Sequence, residues 1–235
     1  MAIDDSYSKI LLHCDGDDAS TTITDEAGNT WTAEGGAQID TAQSKFGGAS
    51  LLLDGNGDYI STPDSDDWRL DDGDNSKLWT IDFWVRFNSV SGYQALVAQL
   101  VNGSNNWMIQ YESTHELTFQ QRVSGTRNVN IRNAWTPSTG QWYHVAVVKN
   151  GTSGYLMFVD GTQIGSTQTD TDTIGSFAGA LNVGRSFQID GAPSYLNGWI
   201  DEFRVSKGVA RWTSNFTPPT SAYGGGGQVI IWSSE

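Results

Sequence analysis

The chain has 235 residues, of which 27 are acidic and 13 are basic, so its formal net charge at pH 7 is −14. Nucleic-acid binding relies on clustered Lys and Arg, and this balance argues against DNA or RNA as a partner. With 27 Gly, 10 Trp and only 17% charged residues, the composition favours short strands joined by tight turns. One all-β domain of this length is within the usual size of a sandwich.

The termini and the single cysteine restrict the cellular setting that the sequence predicts. Residues Met1 to Ser6 lack the basic and apolar pattern of a signal peptide. No apolar run reaches the roughly 18 residues of a membrane helix. Cys14 has no intrachain partner and is predicted to be a small core residue. We therefore expect folding in a cytoplasm, without a disulfide and without a membrane partner.

The first half of the chain predicts strands separated by acidic turns. Tyr7 to His13 is the first predicted strand, and Trp31 and Ile39 are predicted to lie in two short strands. The Asp-rich runs at 15–18, 64–67 and 71–74 are predicted to be solvated turns. Residues 79–87 alternate between apolar and mostly polar positions, which predicts an internal strand with one buried face. Its apolar face consists of Ile81, Phe83, Val85 and Phe87.

The second half predicts hairpins and a closing strand. Three or four strands are expected between Gln94 and Arg132. Residues 141–149 are apolar on both faces, which is typical of a strand deep in a sheet. Asp160-Gly161 is a two-residue hairpin signal. Leu181 to Gly184 leads toward the closing strand.

The closing strand, Trp199 to Val205, contains an acidic residue at a position that the pattern predicts to be apolar. Side chains alternate between the faces of a strand, so Asp201 is expected on the same face as Trp199, Phe203 and Val205. A carboxylate on an apolar face is costly unless a cation, an Arg or backbone N–H groups pair with it. Asp201 is therefore the first candidate site residue.

Four stretches in order resemble laminin-G-like, concanavalin A-like jelly rolls, particularly those of phage and other virion proteins. They are residues 46–60, 79–87, the pair 142–150 with 156–162, and the closing strand with its tail, 199–223. The resemblance implies an all-β fold, a two-sheet antiparallel β-sandwich. It implies less about function, because this fold hosts lectins, hydrolases and structural modules.

The resemblance also implies a structural Ca²⁺ that ties the first strand to the last. Its ligands would be Asp15 or Asp17, a carbonyl group around Gly47, and Asp201. The alternatives are that Asp201 pairs with an Arg such as Arg204 or Arg185, or that it caps turn amides.

A second candidate cation site lies in the run 54–58. Asp54 and Asp58 place oxygens at alternate positions, as at the start of a calcium loop, although the twelfth position is Ser65 rather than an acid. The alternative for this run is a Gly-rich turn capped by Asx hydrogen bonds.

Catalytic residues are not evident in the sequence. The Glu-x-Asp-x-x-Glu pattern of the glucanases that share this fold is missing. Glu112 and Glu116 flank His115 in what is predicted to be a solvated loop, and His144 is predicted to be a structural histidine. Trp68 and Trp107 lie among polar residues and are the candidates for an exposed sugar-binding platform, with ordinary loop packing as the alternative.

The sequence therefore predicts a non-enzymatic virion protein, such as a head decoration, tail or fibre component, that contacts other virion proteins or copies of itself. The alternative is a carbohydrate-binding module for host surface glycans. The domain is expected at 1–223, followed by a Gly-rich linker and tail at 224–235. Within the tail, Val229, Ile230, Ile231 and Trp232 form an apolar strand that is expected to dock on a partner or to fold back on its own domain.

Overall fold

The structure, a computed structural model, describes residues 5–188 and 191–224, and in these ranges the fold is all-β. Two single turns of 3-10 helix, Asp66–Trp68 and Gly151–Ser153, accompany the strands, and no helix in the described ranges is long and apolar enough to cross a membrane. The described strands are β1 Ser8–Leu12, β2 Thr32–Glu34, β3 Gln38–Asp40, β4 Ser50–Asp54, β5 Tyr59–Thr62, β6 Leu78–Phe87, β7 Gln94–Asn102, β8 Asn105–Glu112, β9 Glu116–Val123, β10 Thr126–Ala134, β11 Trp142–Asn150, β12 Tyr155–Val159, β13 Thr162–Gln163, β14 Ala180–Val183, β15 Arg185–Phe187, β16 Pro193–Tyr195 and β17 Asn197–Lys207.

Two antiparallel sheets pack face to face, which confirms the predicted sandwich. The first, of eight strands in the described chain, runs β13-β12-β11-β6-β17-β4-β3, with β1 also paired to β17. The second, of seven, runs β10-β9-β8-β7-β14-β5-β2. The core lies between their apolar faces, where Trp79 of the first sheet meets Phe119 of the second at 5.1 Å between ring centroids.

The predicted hairpins are confirmed. The region 94–134 contains the four strands β7 to β10, joined by tight turns. Strand β11 lies between β12 and β6, as its two apolar faces predict. Asp160 and Gly161 join β12 to β13 with φ values of +48° and +73°, the left-handed pair that a two-residue hairpin of type I′ requires.

The polar face of β6 is covered, although the alternation predicted only one buried face. Thr80, Asp82 and Trp84 are almost fully buried. The chain after β17 turns back over this face, and we call residues 209–223 the strap. The Thr80 hydroxyl donates to the Val209 carbonyl oxygen at 3.1 Å, and Trp212 packs on the apolar outer face of β11 and β12.

Gly161 is where the strap meets the hairpin, and Gly161→Ala is predicted to destabilise the protein. A Cβ atom there would lie 1.9 Å from the Phe216 carbonyl oxygen, in addition to the strain of the positive φ. We expect a loss of about 1 to 3 kcal/mol in chemical denaturation. Gly92→Ala is the matched control, because Gly92 has φ +71° and no atom within 4 Å of its added Cβ. Equal losses in the two variants would contradict the contact.

The predicted docking strand, Val229 to Trp232, lies outside the described residues. Its docking remains a prediction, and so does the domain boundary at residue 223.

Candidate functional site

A β-bulge in β17 places Asp201 on a different face from Phe203 and Val205. The register of β17 against β6 shifts between Asp201 and Arg204, and Glu202 has a φ of +51°. An extra residue inverts the alternation of the side chains that follow it. Asp201 precedes the extra residue and faces outward, paired with Trp84 of β6, whereas the residues after the bulge change faces.

The prediction that Asp201 shares a face with Phe203 and Val205 was wrong, and the bulge is the reason. Both apolar residues lie in the core between the sheets. Trp199 precedes the bulge and pairs with Arg86 on the outer face, so it does share a face with Asp201, as predicted.

Asp201 is fully buried despite its outward position. Its Oδ2 accepts hydrogen bonds from the backbone N–H groups of Lys45 at 2.7 Å and Phe46 at 3.1 Å. Its Oδ1 is buried and has no hydrogen-bond partner among the described residues. Burial is the main cause that raises the pKa of Asp201 to about 7; the charges of Glu202 and Asp15 add to it and the two amides oppose it.

Among the partners considered for Asp201, the structure shows backbone amides. Arg204 instead binds Asp82, and the Arg185 guanidinium lies 4.9 Å from the centre of the Tyr59 ring. Because the Asp201 Oδ1 has no hydrogen-bond partner among the described residues, it is available to one further hydrogen-bond donor or to a cation.

Asp15 and Gly47 lie next to Asp201. A Cβ at Gly47, where φ is +66°, would be 1.9 Å from the Asp15 Oδ1, so only glycine leaves room for that carboxylate. Asp15 as a whole is exposed, but partial desolvation of its carboxylate raises its pKa; the charge of His13 opposes this and the charge of Glu202 adds to it. Asp17 is exposed, and its carbonyl oxygen accepts the Ser20 amide at 3.1 Å.

The side chains around Asp201 are too few to hold a cation by themselves, so backbone carbonyl oxygens would have to complete its coordination. In the described part of the chain, no group of three or more His, Cys, Asp and Glu side chains could hold a metal ion. Two carboxylates and one carbonyl oxygen are oxygen donors of the kind that Ca²⁺ prefers. The residues present therefore fit the predicted ion in type, and the orphaned Oδ1 of Asp201 is the observation that supports it.

The run Asp54 to Asp58 forms a hydrogen-bonded turn, which was the alternative to a cation site. Asp58 is buried and accepts the amides of Gly36 at 2.5 Å and Asp54 at 3.1 Å. The Asp54 Oδ1 accepts the Asn56 amide at 2.6 Å. An Asx hydrogen bond thus accounts for the Asp54 carboxylate, and two backbone amides, one of them 22 positions away, account for that of Asp58.

Trp68 and Trp107 do not form an exposed platform; they are 1% and 0% exposed. Trp107 lies on β8 with its ring in the core, and its indole N–H donates to the Gln99 Oε1 at 3.0 Å. The polar neighbour Asn106 misled the prediction, because adjacent side chains in a strand point to opposite faces. Trp68 packs inward from the short 3-10 turn, while Asp66 of the same turn is exposed.

A buried ionic network under the strap was not predicted from the sequence. The Arg204 guanidinium donates to both Asp82 oxygens, at 3.1 and 3.0 Å. The Tyr223 hydroxyl donates to the Asp82 Oδ2 at 2.5 Å and lies 3.0 Å from the His144 Nε2. His144 is thus a structural histidine, as expected.

The same network reaches the first strand through Glu202. Its two carboxylate oxygens bind the Tyr223 amide and the His13 Nδ1, at 2.7 and 2.8 Å. The hydrogen bond that His13 makes to the Glu202 carboxylate raises the pKa of His13, and burial opposes this. The network therefore fastens the strap and the end of β1 to the bulge in β17.

Glu112 and Glu116 are not in a solvated loop. They face each other across the β8–β9 pair, and Glu112 is buried. The Arg132 guanidinium binds Glu112 and, at 3.2 Å, Glu116. His115 occupies the turn with φ +63°, and its Nδ1 lies 2.6 Å from the Tyr111 hydroxyl oxygen.

A polar groove with tyrosine walls opens where the β15–β16 hairpin meets the loop between β6 and β7. Its volume is about 330 Å³. Gln94 is held in its floor, because its Nε2 donates to the Ser91 carbonyl oxygen at 2.7 Å and its Oε1 accepts the Asn197 amide at 2.9 Å. The lining residues are Gly55, Ser89, Ser91, Gly92, Tyr93, Gln94, Gln188, Pro193, Ser194, Tyr195 and Asn197.

The fold and this groove define a lectin-like jelly-roll domain. The family model of the concanavalin A-like lectin/glucanases superfamily matches residues 54–213, and the chain belongs to this superfamily. None of the curated protein sequences matches the chain.

Solved structures of toxin binding domains share the fold. The binding domain of botulinum neurotoxin DC, in complex with rat synaptotagmin II, superposes with a TM-score of 0.61 at 15% identity over 87% of this chain and 49% of that one. The binding domain of Paraclostridial Mosquitocidal Protein 1 gives 0.61 at 16% over 87% and 49%. Botulinum neurotoxin type C, whose cell entry depends on two ganglioside molecules, gives 0.60 at 16% over 85% and 47%. This chain thus spans about half the length of each, and the likeness shows the fold alone.

Proposed function

We propose that the protein is a non-enzymatic module that binds a carbohydrate in the tyrosine-walled groove. The groove itself carries the proposal. Tyr93 and Tyr195 contribute aromatic rings to its lining, and Gln94, Ser194 and Asn197 contribute amide and hydroxyl groups. Small-molecule sites combine such surfaces with a few oriented polar groups, and sugars present both CH faces and hydroxyl groups.

The arrangement of Glu112 and Glu116 supports binding rather than hydrolysis, and no carboxylate lines the groove in the described part of the chain. Glycoside hydrolysis uses two carboxyl groups on either side of the scissile bond, one of them as a proton donor. Glu112 and Glu116 instead share the Arg132 guanidinium, and the Glu112 Oε1 also accepts hydrogen bonds from Gln110 and Thr118. The toxin domains of the same fold are binding domains as well.

Glycan-array binding by groove variants tests this function. Tyr195→Ala and Tyr93→Ala are expected to weaken binding by about tenfold or more, because aromatic residues in a pocket carry much of the binding energy. Tyr7→Ala is the control, since Tyr7 is 46% exposed and does not line the groove. Thermal melts of all variants should agree closely. Unchanged binding by both groove variants would rule out this site.

We also propose that the cation predicted near Asp201 is structural. Asp15, Asp201 and a carbonyl group around Gly47 would hold a Ca²⁺ that neutralises two neighbouring carboxylates and links the end of β1 to β17. Its support is the orphaned Asp201 Oδ1.

The virion role with other virion proteins as partners stays a prediction, and it depends on the tail. Deletion of 224–235 retains Tyr223, the last residue of the strap network. We expect the melting temperature to change little and assembly into a larger particle to be lost, measured by sedimentation. Normal assembly of the truncated protein would contradict the docking role of Val229 to Trp232.

A further inference from the structure

One row of side chains on the outer face of the eight-stranded sheet remains accessible to solvent. It crosses four neighbouring strands at paired positions, and its members are Leu52 of β4, Trp199 of β17, Arg86 of β6 and Trp142 of β11. We call these four residues the outer row, and each of them is partly exposed. In the adjacent row of the same face, Trp84 is almost fully buried, and the Lys45 ammonium group lies 3.8 Å from the centre of its ring.

The outer row places two indole rings on either side of a guanidinium group. Strand β6 lies between β11 and β17, and neighbouring strands are about 4.8 Å apart, so the backbones of Trp142 and Trp199 are about 10 Å apart. The guanidinium carbon of Arg86 is 5.0 Å from the centre of the Trp199 ring. The Trp199 indole N–H donates to the Asp40 Oδ2 at 2.7 Å, which holds this ring in place. The row therefore offers aromatic surface on both sides of a cation.

The positive charge of Arg86 has no carboxylate partner in the described part of the chain. Its guanidinium group forms no ion pair or hydrogen bond with any residue of 5–188 or 191–224, and its ring contact is with Trp199. A guanidinium group that stacks on an aromatic ring keeps its N–H edge free for two parallel hydrogen bonds to a carboxylate. Arg86 is thus suited to binding an anionic group of a ligand.

We infer that the outer row binds an acidic sugar, whose carboxylate pairs with Arg86 and whose rings pack on Trp142 and Trp199. Sugar rings present flat CH surfaces to aromatic side chains, and binding sites combine such surfaces with a few charged or polar groups. The chain has 27 acids against 13 bases, so most of its surface repels an anion and a local cation determines where one binds. None of the four residues lines the tyrosine-walled groove, so this site does not depend on the function proposed for the groove.

The size of the outer row favours a sugar over a protein partner. A stable protein interface buries about 800 Å² on each side. The outer row consists of four side chains that are each only partly exposed, which matches the length of a short oligosaccharide better than a protein surface.

The test compares each acidic glycan with its own neutral ester, with the full chain as the protein. Oligogalacturonate and hyaluronan oligosaccharides are titrated by calorimetry beside their methyl esters, at low salt. The wild type is expected to bind at least one acid about tenfold to a hundredfold more tightly than its ester, the range of a charge-assisted contact. Arg86→Gln should reduce the affinity for the acid to that for the ester. Arg69→Gln is the control, because Arg69 already pairs with Asp66 at 2.7 Å and is not part of the outer row.

Trp142→Ala provides a second variant that does not depend on the charge. It should weaken the binding of acid and ester alike, by about tenfold, because it removes aromatic contact surface. The Trp142 side chain makes no hydrogen bond or ring contact with a described residue, so the melting temperature should stay close to that of wild type. Tyr195→Ala, which alters the groove, should leave the affinity for the acid unchanged.

Four outcomes would overturn the inference. The first is equal affinity for acids and esters, or no binding of either acid. The second is binding of the acid that is lost in Tyr195→Ala and kept in Trp142→Ala, which would place the acid in the groove. The third is tighter binding of an oligo-aspartate peptide than of either glycan, which would assign the outer row to a protein partner. The fourth is binding that requires deletion of 224–235, which would assign the row to the chain's own tail.

Discussion

Asp82→Ala is expected to lower the free energy of unfolding by about 3 to 5 kcal/mol, because it leaves the Arg204 guanidinium buried without its carboxylate. Arg204 is 4% exposed, and Asp82 is fully buried. The Tyr223 hydroxyl loses its acceptor in the same variant, so the strap loses a main attachment. Urea denaturation at pH 7 measures the loss, and limited proteolysis of 209–223 reports release of the strap.

The control for Asp82→Ala is an exposed ion pair, and acid pH provides a second test. Asp74→Ala breaks the pair with Lys77 at 3.4 Å on the surface, and such solvent-exposed pairs contribute little to stability. Burial alone would raise the pKa of Asp82, but Arg204 and His144 outweigh it and hold the pKa well below 3.8. A lowered carboxyl pKa stabilises the fold above the unfolded value and stops doing so as the pH falls. The difference in free energy of unfolding between wild type and Asp82→Ala should therefore become smaller below pH 4. Similar losses of unfolding free energy in Asp74→Ala and Asp82→Ala would contradict the network.

The strands were predictable because each follows from local pattern. Asp160-Gly161 identifies its hairpin from two residues, and the apolar faces of 142–150 place β11 inside a sheet. Such signals need no knowledge of distant segments. The hydrogen bond from the Asn56 amide to the Asp54 Oδ1 is equally local, whereas Asp58 of the same run also accepts the Gly36 amide from 22 positions away.

The bulge and the strap were not predictable because both depend on distant contacts. Nothing in the residues 199–205 marks the extra residue, which the change of neighbour from β4 to β1 along β17 accommodates. Tyr223 reaches Asp82 across 141 positions. Asp71 shows the same limit: it belongs to a run predicted as a solvated turn, yet it is buried and accepts the Trp79 indole N–H and the Ile174 amide, both at 2.8 Å.

The candidate site was only partly predictable. Asp201, Asp15 and Gly47 were named and do lie together, because the resemblance supplied their pairing. The groove was missed, since Tyr93 and Tyr195 are far apart in sequence and each looks like an ordinary loop or strand residue.

Asp201→Asn is expected to stabilise the cation-free protein above pH 7, because it removes a carboxylate that ionises at a cost inside the fold. A carboxyl pKa raised from 3.8 to about 7 corresponds to about 4 kcal/mol. The sign follows from the direction: a raised pKa gives stability that is full below the unfolded value near 3.8 and is lost as the pH rises through about 7. Thermal melts with chelator at pH 5 and pH 8 should show a smaller decline in Asp201→Asn than in wild type.

With Ca²⁺ present at pH 8, the wild type is expected to melt at a higher temperature than Asp201→Asn, the reverse of their order with chelator. An ion held by Asp15, Asp201 and a carbonyl near Gly47 binds the ionised carboxylate, so added Ca²⁺ should raise the melting temperature of wild type at pH 8 in proportion to its binding. Asp201→Asn should respond little, and Asp17→Asn, which alters an exposed neighbour, should respond like wild type. Identical melts of wild type with calcium and with chelator would exclude the ion, and the two amides from Lys45 and Phe46 would then be the partners of Asp201.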